Sequence, residues 1–402
     1  MTFHPPLALV IPWYGLEAAG GAEFHARRLA ENLQEAGVPI RVLTTTGRDS
    51  FADREKEYYP AGLEYVNGVP VHRFPLRRPN EPSFLEQHPE RLAERPAFPR
   101  EELALLDELR AESDALYAYL WEHRHDFFFI FMPYPYPTTF WGIALLPPER
   151  TFLIPCLHEE PYAHYSTYAW AFRRVRRVLF NSEAERDLAL RLYNLSPERT
   201  AVLWEGIDLH WRGEAARFRA RYGLDGPFLL YVGRRDAGKG TPFLLHAFCE
   251  YKVRRGGPLR LVLAGRNPIE VPRGFADEVV DLGYLPEQDK HDALAAATLF
   301  VHPSSVESFS IALMEAWLQG TAVLVNGNCA VLREHVLRSG GGLPYVGYHE
   351  FEAALDYLLA RPALRREMGK RGQAYVRRNF RWEEVVKRLI AAVYGEHPAP
   401  PP

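Results

Sequence analysis

The stretch "LFVHPSSVESFSIALMEAWLQGTAVLVN" (299–326) reads as strand, loop, helix and strand in immediate succession. An aliphatic run ends at Pro303, a serine-rich loop follows, a helix starts near Ser310 and stops at Gly320, and a second aliphatic run opens at Ala322. Alternation of this kind builds parallel sheets covered by helices on both faces. The loop and helix also carry two carboxylates eight positions apart, Glu307 and Glu315. Inside one helix they would stand ~12 Å and ~80° apart and could not share a small ligand. With Ser310 as N-cap, Glu307 instead folds over the helix start, where the amides of Phe309, Ser310, Ile311 and Ala312 face an anion. Glu315, flanked by Met314, Ala316 and Trp317, is a carboxylate in an apolar helix and needs a partner. A ribose diol would serve, and so would an arginine in a structural ion pair.

The same alternation extends in both directions. Strand candidates in the first half are 7–11, 40–45, 127–132, 151–156, 178–180 and 200–204; in the second half they are 228–233, 259–265, 279–283, 299–303 and 322–326. The helix between the first two, 22–37, ends on Gly37 as a helix stop should. Two such runs, separated near 205–227, predict two doubly wound domains, 1–207 and 208–380. A closing helix at 381–396 is expected to pack back on the first. The 46–126 block reads as an insertion decorating that domain. It holds an Asn67-Gly68 hairpin turn, an Arg/Pro-rich loop (73–100) and one long helix (101–123). The terminal "HPAPPP" reads as a frayed tail.

The bulk numbers agree with two domains. A chain of 402 residues exceeds one ordinary core, and 47% hydrophobic with 25% charged residues is a globular composition. The net charge of −3 gives no basis for nucleic-acid binding. Cys156, Cys249 and Cys329 are isolated, which suits buried thiols in a reducing compartment. The opening "MTFHPPLALVIPWYG" is a first strand rather than a leader, and no stretch reaches the ~20 apolar residues that span a bilayer. A cytoplasmic enzyme is expected, with "RRVRR" (173–177) as a means of peripheral attachment to a membrane face or, more simply, a solvated helix face.

Ligands of open parallel sheets bind beyond the carboxyl ends of the strands. Three further segments sit there. "YVGRRDAGKGTPFLLHAF" (231–248) places Gly233, Arg234, Lys239 and Gly240 in a strand-to-helix turn. Two cations at such a turn straddle a diphosphate, or are simply solvated. Neither GxxxxGK[ST] nor GxGxxG is present. Gly20 and Gly21 lead directly into a helix, allowing close backbone approach to phosphate or sugar. His158 follows the strand 151–156 and reaches a substrate hydroxyl or is a satisfied structural histidine. With Glu159 and His164 it matches no usual metal spacing. No Asp-x-Asp occurs to hold a metal-bridged diphosphate, so no metal and no cofactor are expected.

These pieces, in this order, resemble the retaining nucleotide-sugar-dependent glycosyltransferases of family 4. The resemblance runs nearly end to end, through GGAE (20–23), His158, "VLFNSEAERDL" (178–188), GR-x4-KG (233–240), "YLPEQDKHDALAAATLFVHPS" (284–304) and the E-x7-E pair. It implies the GT-B fold, an α/β architecture of two facing Rossmann-like domains with an interdomain cleft. Carried over by position, it implies that Arg234 and Lys239 bind the donor diphosphate. Glu307 would contact sugar hydroxyls, while Ser308, Phe309, Ser310 and Ile311 hold sugar and phosphate. Glu315 would bind ribose, His158 would reach the donor sugar, and Gly20, Gly21 and Gly233 would line the diphosphate site. The base would lie near Tyr284 and Leu285. The chain departs from the family at Trp204-Glu205-Gly206-Ile207-Asp208, where Pro-Asn-Gly-Val-Asp is usual. Ser310 replaces a common glycine, as in some polysaccharide-assembly members, which this chain also resembles in "PCLHEEPYAHY" and "SGGGL". The implied activity is transfer of a hexose from a UDP- or GDP-linked donor to a glycan, lipid-linked glycan or small-molecule hydroxyl. A sugar-nucleotide epimerase or hydrolase of the same fold, or a non-catalytic binding protein, are the alternatives.

Overall fold

The computed structural model describes residues 4–18, 20–53, 56–78, 85, 88–94, 96 and 98–395. The 397–402 tail and parts of the 73–100 loop lie outside the described residues. The chain divides into two compact units, one of residues 1–206 with 382–402, the other of residues 207–381.

The first unit is built on eight strands: β1 Leu7–Val10, β2 Ile40–Thr45, β3 Gly62–Val66, β4 Val69–Phe74, β5 Phe128–Phe131, β6 Thr151–Leu153, β7 Arg177–Phe180 and β8 Thr200–Val202. They pair in the order β3-β4-β2-β1-β5-β6-β7-β8, and all pairs are parallel except β3 with β4. β1 is wholly buried because both of its faces are covered, which is why it reads as a continuous aliphatic run. The helix Gly21–Glu35 lays Ala26, Leu29, Ala30 and Leu33 on one face, and these pack with the sheet's Leu7, Leu9 and Val42. The chain's last helix, Trp382–Tyr394, adds Val385, Val386, Leu389 and Val393 to that same core. Each such side chain contributes roughly 1.5–3 kcal/mol on burial, which holds this helix to the first unit rather than the second.

The 46–126 block is not a decoration. Its hairpin supplies β3 and β4, and β4 lies parallel to β2 with Val71 opposite Val42. Val69 and Val71, on one face of β4, pack in the core that holds Leu7 and Leu29, while Phe74 on the other face joins the core on the opposite side of the sheet and Arg73 is also buried. The expected long helix 101–123 is two helices, Pro99–Asp107 and Asp114–Glu122. Arg110 and Ala111 both adopt left-handed backbone, which no helix tolerates, and Ser113 restarts the second helix by accepting from the Leu116 N–H at 3.3 Å. Leu105, Leu106, Leu116 and Leu120 then join the core.

The arginines of "RRVRR" are engaged within the unit. Arg174 donates to the carbonyls of Ile143, Ala144 and Leu146 at the end of the helix Pro137–Leu145, Arg177 donates to the Ala392 carbonyl, and Arg176 lies over Phe152. Guanidinium groups at helix carboxyl ends satisfy orphan carbonyls and complement the dipole. Among the described residues, no helix is long and apolar enough to cross a membrane.

The second unit carries six strands: β9 Phe228–Val232, β10 Arg260–Ala264, β11 Val279–Asp281, β12 Leu299–His302, β13 Val323–Asn326 and β14 Gly342–Tyr345. All pairs are parallel, in the order β11-β10-β9-β12-β13-β14. β14 was not expected, because "GLPY" carries one aliphatic residue and a proline, which only an edge position tolerates. The chain runs outward from β9 through β10 to β11, then returns to the other side of β9 with β12. The order therefore reverses between β9 and β12, and that reversal opens a crevice at the carboxyl ends of these two strands.

Candidate donor site at the β9/β12 switch point

The turn after β9 and the turn after β12 meet at this crevice. Gly240 has φ +72, and a side chain there would collide with the Pro303 carbonyl. Glycine is thus required twice over, by the backbone angle and by the neighbouring loop. The approach brings Lys239 Nζ to 2.7 Å from Glu307 Oε1. Asp236 organises the first turn: its Oδ1 accepts from the Lys239 N–H at 2.9 Å, its carbonyl accepts from Thr241, and its Oδ2 stands 2.5 Å from Arg234 Nε. Arg234 is the more exposed cation (37%) and Lys239 the less (24%).

The adjacent arginine does something different. Arg235 is buried and donates to the Gly265 and Arg266 carbonyls and to Asp281, tying the ends of β9, β10 and β11 together. Gly233 has φ +152 and its N–H bonds the Ala264 carbonyl. Tyr284, beyond β11, is exposed with the Arg266 guanidinium over its ring, while Leu285 is buried.

Across the crevice, the helix Ile311–Leu318 begins at the expected place, but Ser310 does not cap it as expected. Its backbone is left-handed (φ +83) and its hydroxyl is paired with His302 Nε2 at 2.8 Å. A cap residue needs extended backbone to reach the N2 or N3 amide, and Ser310 lacks it. The usual glycine of the family is explained by this angle. Phe309 is wholly buried against His335 and Phe380, so its side chain anchors the loop while the backbone turns at the crevice. Burial drives the His302 imidazole down to about 4, with Glu307 3.6 Å away opposing the shift, so His302 is neutral at pH 7. Ser308 is buried and Ile311 half-exposed.

Glu315 already has a protein partner, and it is a lysine rather than the arginine considered from sequence. Lys290 Nζ lies 2.7 Å from Glu315 Oε1 and 2.7 Å from Glu287 Oε1. His291 Nε2 stands 3.4 Å from Glu287. Burial alone would depress the ammonium of Lys290, but the two carboxylates hold it up at about 12; burial alone would raise Glu287, but His291 and Lys290 hold it down at about 2. Glu287, His291 and Glu315 offer ligand atoms within 4.8 Å of one another, a metal-like geometry. The Lys290 ammonium bridges both carboxylates, so the cluster has its own cation and does not fit a resident metal.

In the first unit, Gly20 has φ +149 and a side chain there would strike Glu23, whereas Gly21, the first residue of its helix, has open space. Of the pair, only Gly20 needs to be glycine. His158 Nδ1 lies 3.1 Å from Glu160 Oε1, and the Tyr162 hydroxyl donates to the same carboxylate. The loop carrying His158 is fixed by Glu185, which accepts from the Leu157 N–H at 2.6 Å and the Asn181 N–H at 2.5 Å. Glu159 lies beside Arg191.

Sequence reasoning thus named Arg234, Lys239, Glu307 and Ser310, which share one crevice, but missed Asp236, Lys290 and His302. His302 had a signal, as a polar residue ending an aliphatic strand. Lys290 had one too, lying three positions after Glu287 on one helix face.

The family described as "Glycosyl transferases group 1" matches residues 214–375, and "Glycosyltransferase Family 4" matches residues 19–211. A D-inositol 3-phosphate glycosyltransferase of Frankia alni is 31% identical over 237 residues, covering 53% of this chain and 57% of the relative. The enzyme of that name from Saccharomonospora viridis is 25% identical over 94% of this chain and 89% of its own. The match with the Frankia relative thus spans little more than half that protein's length. Among solved structures, an Anabaena protein in complex with UDP-glucose superposes with TM-score 0.68 at 16% identity, covering 97% of this chain and all of the other.

Proposed function

The chain belongs to the family 4 glycosyltransferases of the GT-B fold, and from that premise we propose that it moves a hexose from a nucleoside diphosphate sugar to an acceptor hydroxyl with retention of the anomeric configuration and without a metal. The observation that carries this reading is the Lys239–Glu307 contact between the turns at the β9/β12 switch point. One turn supplies cations and the other a carboxylate and a helix start. Arg234 and Lys239 meet the diphosphate, whose charge grows as the nucleotide departs. The first-turn amides of the helix Ile311–Leu318 add a second set of donors to the phosphate. Glu307, released in part from Lys239 when phosphate takes its place, accepts from sugar hydroxyls. Glu315 accepts from the ribose, and the backbone near Tyr284 and Leu285 meets the base. In the first unit, His158, oriented through Nδ1 by Glu160, presents Nε2 to a donor-sugar hydroxyl.

No side chain in this set is placed as a covalent nucleophile, which fits front-face transfer with the leaving phosphate taking the acceptor's proton. The protein's contribution is then positioning and charge stabilisation. The Anabaena structure makes UDP-linked hexoses the first donors to try, and the relatives' name makes inositol 3-phosphate the first small acceptor. A glycan or lipid-linked glycan is the larger-acceptor class, and synthesis of a polysaccharide the wider role.

The test is a thermal-shift panel of UDP, GDP and their hexose conjugates, followed by turnover with and without acceptor. A true donor at 100 times its Kd adds about 2.7 kcal/mol to apparent stability. Transfer to acceptor with an α-linked product from an α-linked donor supports the reading. Rapid donor consumption without acceptor would point to a hydrolase or epimerase. No shift with any nucleotide would remove the donor site altogether.

A further inference from the structure

The bridge formed by Lys290 has a use beyond neutralising two acids. Glu315 is a buried carboxylate whose partner, Lys290, is itself only 17% exposed, and the contact engages one carboxylate oxygen, Oε1. Among the described residues, no hydrogen bond from the protein reaches Oε2. Lys290 is held in turn by Glu287, one turn back on the same helix, Glu287–Ala296. A second arm fixes the helix of Glu315 to the helix of Lys290. Gln319, four residues after Glu315, bonds His291 Nδ1 at 3.0 Å and accepts from the Gly213 N–H at 2.8 Å. The His291 ring is stacked on Trp211. Polar contacts thus tie the two helices at two points, Lys290–Glu315 and His291–Gln319.

We infer that Lys290 is a positioning residue of the donor site: it holds Oε1 of Glu315 and so presents the second oxygen, oriented, to the two hydroxyls of a ribose. This rests on the reading of Glu315 as the ribose acceptor. The chemistry follows from the geometry. A buried carboxylate with no partner would bear its full desolvation cost and turn freely about its last bond, and a freely turning group is a poor acceptor for a diol. An ammonium on one oxygen fixes the rotamer while leaving the second oxygen to the ligand. Lys290 touches neither phosphate nor sugar in this scheme and acts only through Glu315.

The experiment is calorimetric titration of the intact chain with UDP and GDP, each beside its 2′,3′-dideoxy form. In the wild type the ribonucleotide should bind about tenfold more tightly than the dideoxy form, the effect of a charge-assisted hydrogen bond. Lys290→Met should weaken the ribonucleotide about tenfold and leave the dideoxy form unchanged, and Lys290→Arg should recover most of the loss. Equal weakening of both forms would make Lys290 a structural residue and overturn the inference. If the wild type itself does not distinguish the two forms, or binds neither nucleotide, the reading of Glu315 fails first, and the inference falls with it. Should Lys290→Met not fold, Lys290→Gln gives the same readout with a polar side chain of similar length.

Discussion

Removing Lys239 should damage the protein in two separable ways. Lys239 and Glu307 stand 2.7 Å apart with 24% and 10% of their side chains exposed. Lys239→Ala strands the Glu307 carboxylate beside a neutral His302. Breaking a fully buried pair costs 3–5 kcal/mol and an exposed one at most ~1, so a largely buried pair with one arm in solvent should cost about 2 kcal/mol. For a unit of this size that is a fall in Tm of about 4–8 °C. The catalytic loss is larger, about 10²–10³ in kcat, if Lys239 meets the leaving diphosphate. Adding Glu307→Gln removes the stranded charge. The double variant should therefore regain most of its Tm while turnover, read as release of nucleoside diphosphate from UDP- or GDP-hexose, stays low. Recovery of turnover together with Tm would refute the reasoning, since it would make the pair a structural bridge and nothing more. Full activity in Lys239→Ala alone would do the same.

Other outcomes follow from the same geometry. Burial lowers His302 to about 4, and His25 and His335 to about 3, below the ordinary 6.5, so the unfolded chain binds more protons than the folded one between those limits. Their contribution to stability is whole above pH 6.5 and is lost as pH falls toward 4, which Tm measured across pH 4–7 should record as a steady decline. Gly240→Ala should lower both Tm and nucleotide affinity, by ~1–2 kcal/mol or more, because its φ of +72 and the Pro303 carbonyl both oppose a side chain. Arg234 and Arg235 should separate cleanly: Arg235→Met lowers Tm by unclamping three strand ends, whereas Arg234→Met spares Tm and weakens diphosphate binding in titration.

Much of the fold was legible because parallel strands buried on both faces leave continuous aliphatic runs, and glycines mark where helices stop. Ile40–Thr45 was read to the residue, and the helix ending before Gly37 nearly so. What was not legible lacked such a mark. β14 has too few aliphatic residues to announce itself, and the helix break at Arg110 and Ala111 occurs where neither glycine nor proline stands. The hairpin at Asn67-Gly68 was readable from its turn, but its membership of the main sheet depends on β4 finding β2 across the intervening chain.

The site divides along the same line. Arg234, Lys239, Glu307 and Glu315 could be named because strand ends and helix starts are local features, and ligands of such sheets gather there. Their protein partners could not, because a pairing is a fact of three dimensions. Nothing in "RRD" separates Arg235, which turns inward to the Asp281 side of the sheet, from Arg234, which stays with Asp236. Likewise Glu315 demanded a partner on energetic grounds, yet the sequence offered no choice between ribose and arginine and did not mark the lysine that stands there as its partner. Lys290 answers half of that demand by engaging Oε1 alone. A carboxylate with one oxygen held is better prepared for a diol than a free one, since the cost of ordering it is met before the ligand arrives. On the proposed reading, the structural ion pair and the ligand contact, which looked like rivals from sequence, use two oxygens of the same group.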